Sequence, residues 1–187
     1  VIYGKTGGYS TFDISALTDD IGFKILGSLS SFFGCNVNAR ADINGDGIKD
    51  IVIGAYALSS NSGAGYVVYG QKTRGPGFSI TAMPPTRGFT MSSPSGGFFI
   101  GAAVGSAGDF NGDRIDDLII TGPTVSSYGK VYIVNGKKGG LSSWTLPSTG
   151  SMSEGLTITG EISTTQLAFC AAAGGDFNGD GVSDVML

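Results

Sequence analysis

The chain has 187 residues, 33 glycines, no histidine, two cysteines and a formal charge of −4. Ten of its 15 acidic residues fall in three windows, 42–50, 109–117 and 176–184, which also hold Lys49 and Arg114. The remaining five acids face nine bases, so outside these windows the chain is mildly basic. Without histidine, every mechanism built on an imidazole base, nucleophile or metal ligand is excluded. No apolar run approaches the ~20 residues needed to cross a bilayer, so membrane insertion is not expected. Lys137-Lys138 is only a pair, too little charge to suggest nucleic acid.

Taken in chain order, the elements repeat. Val1-Ile2-Tyr3-Gly4 opens the chain and returns as Val67-Val68-Tyr69-Gly70 and Ile133-Val134-Asn135-Gly136. Phe12-Asp13-Ile14 returns as Phe78-Ser79-Ile80 and Trp144-Thr145-Leu146. Phe23-Lys24-Ile25 returns as Phe89-Thr90-Met91 and Leu156-Thr157-Ile158. The acidic windows DINGDGIKD, DFNGDRIDD and DFNGDGVSD follow one another at intervals of 67 residues. Several landmarks in one register make an internal repeat the dominant feature of the sequence.

Within one period, short apolar runs such as Ile51-Val52-Ile53 and Tyr66–Tyr69 are separated by Gly, Ser, Asn and Pro clusters. No stretch keeps helical periodicity long enough for a sustained helix, so each period is expected to supply about four short strands. The expected fold is all-β: β-propeller blades of four antiparallel strands, with an acidic calcium loop between the first and second strands. In this reading residues 1–28 are strands three and four of one blade. Residues 29–95 and 96–163 are the next two blades, and 164–187 hold strands one and two of another. Three blades do not close a ring, which takes about four to eight. The expectation is that more blades come from a longer chain, or that a homo-oligomer completes the ring. A start at Val1, with neither methionine nor leader, fits a processed or excised piece.

The windows read D-x-N-G-D-x-x-x-D, with oxygen donors at the first, third, fifth and ninth positions and a backbone carbonyl at the seventh. Calcium takes about six to eight hard oxygens in a flexible shell. The candidate ligands are Asp42, Asn44, Asp46, Ile48 (carbonyl) and Asp50 in the first loop. They are Asp109, Asn111, Asp113, Ile115 (carbonyl) and Asp117 in the second, and Asp176, Asn178, Asp180, Val182 (carbonyl) and Asp184 in the third. Up to three Ca²⁺ ions are expected, one per loop. No soft ligand accompanies the oxygens, which argues against zinc, copper and iron. An EF-hand needs a glutamate at the twelfth position, where this chain has Ile53, Ile120 and Leu187. The second loop is expected to be the weakest, because Arg114 stands where the others have glycine, with Asp116 partly offsetting its charge.

These motifs resemble the FG-GAP repeat, the unit of the integrin α-subunit N-terminal propeller. Phe33-Gly34 matches the FG element, Asp42–Asp50 the calcium loop, and Ile53-Gly54-Ala55 the GAP element. The second unit has Ile100-Gly101 and Thr121-Gly122-Pro123 at these places, and the third has Leu167-Ala168. The resemblance implies a seven-bladed propeller with calcium loops on one face and an extracellular, secreted or cell-surface, adhesion or recognition role. Integrin ligand specificity does not carry over, and Arg40-Ala41-Asp42 is the edge of a metal loop rather than an adhesive tripeptide.

The favoured reading is therefore a non-catalytic, calcium-stabilised module that recognises a protein or glycan ligand. Two alternatives stand beside it: a lectin-like carbohydrate binder, and an accessory domain of a secreted hydrolase. The acids outside the loops, Asp13, Asp19, Asp20, Glu154 and Glu161, offer no clear catalytic pair. For sugar stacking the candidates are Tyr128 and Trp144, with Trp144 expected in the packing between blades. Cys35 and Cys170 are expected to be buried free thiols, and Phe32-Phe33 and Phe98-Phe99 to pack between blades.

Overall fold

The computed structural model describes all residues except 10, 12, 124–127, 162–166 and 168–169, and side chains of these except 172–174. Phe12 and Ala168, both used in aligning the repeats, lie outside the described residues. In chain order the strands are β1 (Ile25–Leu26), β2 (Val37–Asn38), β3 (Ile51–Ala55), β4 (Ala64–Val68), β5 (Phe78–Ser79) and β6 (Gly88–Ser92). They continue with β7 (Val104–Gly108), β8 (Asp117–Gly122), β9 (Lys130–Val134), β10 (Trp144–Thr145), β11 (Gly155–Thr159), β12 (Ala172–Gly175) and β13 (Asp184–Met186). Among the described residues helix is confined to single turns, one of them Leu58–Asn61, whose Ser59 and Ser60 are left-handed.

The chain is all-β, built from antiparallel blades. β7, β8, β9 and β11 form one four-stranded antiparallel sheet in that order. β2, β3, β4 and β6 form the same arrangement one repeat earlier, and β12 pairs with β13 one repeat later. Each sheet is a meander in which sequential strands of the blade lie side by side, joined by Gly- and Asn-rich turns and, between the third and fourth strands, by a longer connection.

Two pairings were not visible in the apolar pattern. β10 adds to β6 in parallel, with Trp144 opposite Met91, and β5 adds to β1 in the same way, with Phe78 opposite Ile25. The run Phe78-Ser79-Ile80 is thus no strand of its own blade. It crosses over to the outer strand of the preceding blade and ties the two together.

The blades stack face to face because their strands are apolar on both faces. Val52, Val67, Phe89 and Met91 from one sheet meet Leu118, Ile120, Tyr132 and Val134 from the next. The alternate residues Ile53, Tyr66 and Val68 face the N-terminal segment, where Ile25, Phe33 and Phe78 cover them. Ile119 and Val131 pack toward Leu167 and Val185. Burial of this kind contributes about 25 cal/mol per Å² of apolar surface and is the main force holding blade to blade.

A close backbone approach explains the glycines of the FG and GAP elements. A Cβ on Gly54 would sit 2.0 Å from the carbonyl oxygen of Gly101. Gly101 has φ +90°, and a Cβ there would sit 2.9 Å from the nitrogen of Ala55. The FG glycine of one blade therefore rests on the GAP glycine of the blade before it, and no side chain fits between them.

Candidate metal centre

Each acidic window connects the first and second strands of a blade: β2 to β3, β7 to β8 and β12 to β13. The first aspartate folds the turn around itself. In the first loop Asp42 Oδ1 accepts from the Asp46 amide (3.1 Å) and Oδ2 from the Gly47 amide (2.7 Å). Asn44 Oδ1 accepts from the same Asp46 nitrogen at 3.0 Å, and Asp46 Oδ1 accepts from the Ile48 amide at 2.8 Å. Oxygens of the first and third positions thus converge on one point.

The other loops repeat this network. Asp113 N donates to both Asp109 Oδ1 and Asn111 Oδ1 at 2.9 Å, and Ile115 N to Asp113 Oδ1 at 2.8 Å. Asp180 N donates to Asp176 Oδ1 at 3.0 Å and Asn178 Oδ1 at 2.9 Å, and Val182 N to Asp180 Oδ1 at 2.9 Å. The Asp176 carboxyl is held below its ordinary range, chiefly by the Gly181 amide. At the sixth position Arg114 adopts φ 71°, close to the 86° of Gly47 and 88° of Gly181. The turn forces the left-handed backbone on an arginine.

The ninth-position carboxylates are set apart from these turns. Asp50 is fully buried; its Oδ2 accepts from Ile43 N and its Oδ1 from Gly70 N, both at 2.8 Å. Asp117 is also fully buried, accepting from Phe110 N (2.9 Å), Asn111 N (3.2 Å) and Gly136 N (2.8 Å). Asp184 Oδ2 accepts from the amides of Phe177 and Asn178. Burial pushes the carboxyls of Asp50 and Asp117 up to about 6, and the charges of Asp42 and Asp113 beside them push the same way. In the first two loops these carboxylates join the turn to the end of the blade's third strand, a role that sequence spacing alone did not reveal.

As a metal site the donor set is entirely hard oxygen, as calcium requires. Among the described residues, no three His, Cys, Asp or Glu side chains are gathered closely enough to hold an ion. The carboxylates are instead engaged with the loops' own amides. What converges is one carboxylate oxygen and one amide oxygen in each loop.

Neighbouring loops touch. Lys49 Nζ lies 2.7 Å from Asp116 Oδ2, which also accepts from Asp42 N at 2.8 Å. Asp116 therefore serves the preceding loop rather than offsetting Arg114. Ser183 N donates to the Asp109 carbonyl at 3.1 Å, so the second and third loops also meet, here backbone to backbone.

The other singled-out residues fall as follows. Trp144 stacks on Phe89 with centroids 5.5 Å apart, which commits one face of its ring to blade packing. Tyr128 is exposed. Phe33 and Phe98 pack inward, but Phe32 is 61% exposed and lies flat on Tyr56, which also meets Phe99. Cys35 and Cys170 are free, and both are exposed rather than buried.

Stacked four-stranded blades with an acidic loop after each first strand define this as a chain of β-propeller blades. The FG-GAP repeat family model matches residues 38–69, which run from β2 through the first loop to β4. Integrin alpha-E of Mus musculus is 31% identical over 174 residues, 85% of this chain and 13% of that protein. Integrin alpha-6 of Gallus gallus is 35% identical over 61% of this chain and 10% of its own length. Phosphatidylinositol-glycan-specific phospholipase D of Bos taurus is 32% identical over 79% of this chain and 17% of its own. The chain is an integrin-α-like FG-GAP-repeat chain, and it spans under a fifth of each of these relatives. Among the described residues no helix is long and apolar enough to cross a membrane.

Proposed function

We propose that this chain is an extracellular recognition module whose blades are held in shape by calcium and which carries out no catalysis itself. Each loop would take one Ca²⁺ through Asp42, Asn44, Asp46, the Ile48 carbonyl and Asp50, or through their equivalents in the second and third loops. The ion's contribution is charge: it offsets carboxylates that crowd one another and locks the turn between strands. The observation that carries this reading is the convergence of first- and third-position oxygens on one amide in three successive loops. The partner surface would be the opposite edge, where Phe32, Tyr56 and Phe99 meet in loops away from the metal turns.

Thermal unfolding with and without calcium tests the reading. At an affinity of about 10⁻³ M, as in extracellular modules, 10 mM calcium adds roughly 1.4 kcal/mol per site. The unfolding midpoint is expected to rise by several degrees over that in chelator. An unchanged midpoint would end the proposal.

The similarity to a phospholipase D over 79% of the chain supports a second reading, in which such blades accompany a hydrolase. Neither reading expects turnover of generic esters or glycosides by this chain itself, and activity in such an assay would overturn its assignment as non-catalytic.

A further inference from the structure

We infer that a basic cavity on the first complete blade binds a tetrahedral oxyanion, the phosphate or sulfate group of an esterified ligand. This goes beyond the calcium reading and does not depend on it.

The cavity measures about 430 Å³ and lies between the N-terminal segment and the end of β4. Among the described residues, Lys49, Lys72, Arg74 and Arg87 line it, and no Asp or Glu does. Lys49 is already paired with Asp116, which leaves three cations facing the space. Two of them are pre-positioned. Arg74 lies 5.0 Å over the ring of Tyr3 and donates to the Asp20 carbonyl at 2.9 Å. Arg87 lies 5.0 Å over the ring of Phe78 and donates through Nη1 to Gln71 Oε1.

Arg87 lines the cavity with a partly exposed side chain, and no carboxylate compensates its charge there. Its Nε is sealed off without a hydrogen-bond partner, so an anion in the cavity would meet the guanidinium through its terminal nitrogens. A guanidinium presents donors in a planar fork that fits two oxygens of a phosphate or sulfate, and the aromatic ring beneath it fixes the plane of that fork. The volume falls within the range of about 300–1,000 Å³ found for small-molecule sites.

The fold does not require this charge. The backbone carbonyl of Arg87 accepts from Tyr69 N at 2.8 Å, and one repeat later Glu154 occupies the same place, accepting from Asn135 N at 2.8 Å. Arg74 is replaced there by Gly140 at the repeat spacing. The second blade's cavity, about 440 Å³, is lined by Lys137 and Glu154 together with serines and Trp144. The same architecture therefore carries opposite charges at equivalent points, and the basic lining of the first complete blade is not repeated in the cavity of the second.

The test is an NMR titration of the chain in low-salt buffer, following the Arg87 Nε–H resonance and the amides of residues 70–75. The probes are phosphoserine, N-acetylglucosamine 6-sulfate and uncharged N-acetylglucosamine. Saturable shifts are expected with one or both anions and none with the neutral sugar; the stronger anion distinguishes a phosphate source from a sulfate source. Arg87→Gln should weaken binding at least tenfold. The exposed pair Lys72→Gln/Arg74→Gln, which leaves the packing of Arg87 untouched, should weaken it several-fold. No saturable shift with either anion, an equal response to the neutral sugar, or unchanged affinity in the Lys72→Gln/Arg74→Gln variant would overturn the proposal.

Discussion

The first and second acidic loops build one hydrogen-bond frame from different residues. At the sixth position Gly47 takes φ 86° at no steric cost, whereas Arg114 takes 71° against its preference. The amides that follow each turn still reach the same carboxylates, Gly47 N to Asp42 at 2.7 Å and Arg114 N to Asp109 at 2.9 Å. The frame of side-chain acceptors therefore fixes the turn, and glycine merely lowers its cost. Behind both loops stands a buried carboxylate that binds the turn to the blade. If that hierarchy is right, the buried carboxylate dominates stability, the left-handed residue modulates it, and the contact between loops adds least.

Removing the buried carboxylate is the most severe disruption. Asp117→Ala leaves the amides of Phe110, Asn111 and Gly136 without their acceptor, and Asp50→Ala does the same to Ile43 and Gly70. At about 1–3 kcal/mol for each buried donor left unsatisfied, either change should cost roughly 3–5 kcal/mol in urea unfolding. Asp184→Ala, in a loop whose carboxylate is less buried, should cost less. Equal losses at all three positions would show that burial is not what distinguishes them.

The same two carboxylates predict a pH dependence in chelator. Their folded values of about 6 lie above the ordinary 3.8, so folding favours the protonated form. That contribution is complete below about pH 3.8 and is lost as pH rises through about 6. Acidifying the metal-free chain from pH 7 to pH 5 should therefore stabilise it by about 1 kcal/mol per carboxylate, seen as a higher unfolding midpoint. Saturating calcium should reverse the trend, because the ion favours the charged form. A flat profile in chelator would contradict desolvation as the cause.

Exchanging the sixth-position residues isolates the backbone cost. Arg114→Gly should stabilise the chain by roughly 0.5–1 kcal/mol and tighten calcium binding at the second loop. Gly47→Arg should do the reverse at the first. Calorimetric titration of the two variants reads both effects. If Arg114→Gly leaves the second loop's affinity unchanged, the arginine's charge and conformation are both immaterial there.

The repeat, the all-β fold and the loop positions were legible because each rests on local chemistry: short apolar runs, turn residues and a periodic register. Three features were not. The parallel additions of β5 and β10 join strands from neighbouring blades, and Phe78 or Trp144 carries no mark of its partner. The full burial of Asp50 and Asp117 depends on Gly70 and Gly136 arriving from the third strand, about twenty residues on. The exposure of Cys35 and Phe32 escaped a hydrophobic reading because both lie in the tight turns before β2, where Phe32 is left-handed. In the first two cases the deciding contact lies beyond the reach of local pattern, and in the third a local backbone conformation overrides the hydrophobic one.

The contact between loops should matter least, and measuring it sets the scale for the rest. Lys49 and Asp116 form the one ion pair among the described residues, and the lysine is 59% exposed. An exposed pair of this kind is worth about 0.2–1 kcal/mol and is screened by salt. Asp116 also accepts from the Asp42 amide, a bond that Lys49→Ala leaves in place and Asp116→Ala removes. Asp116→Ala should therefore cost more than Lys49→Ala, and only the difference between them should persist at 1 M salt. If both losses vanish with salt, the Asp42 amide bond adds nothing, and each loop is held by its own blade alone.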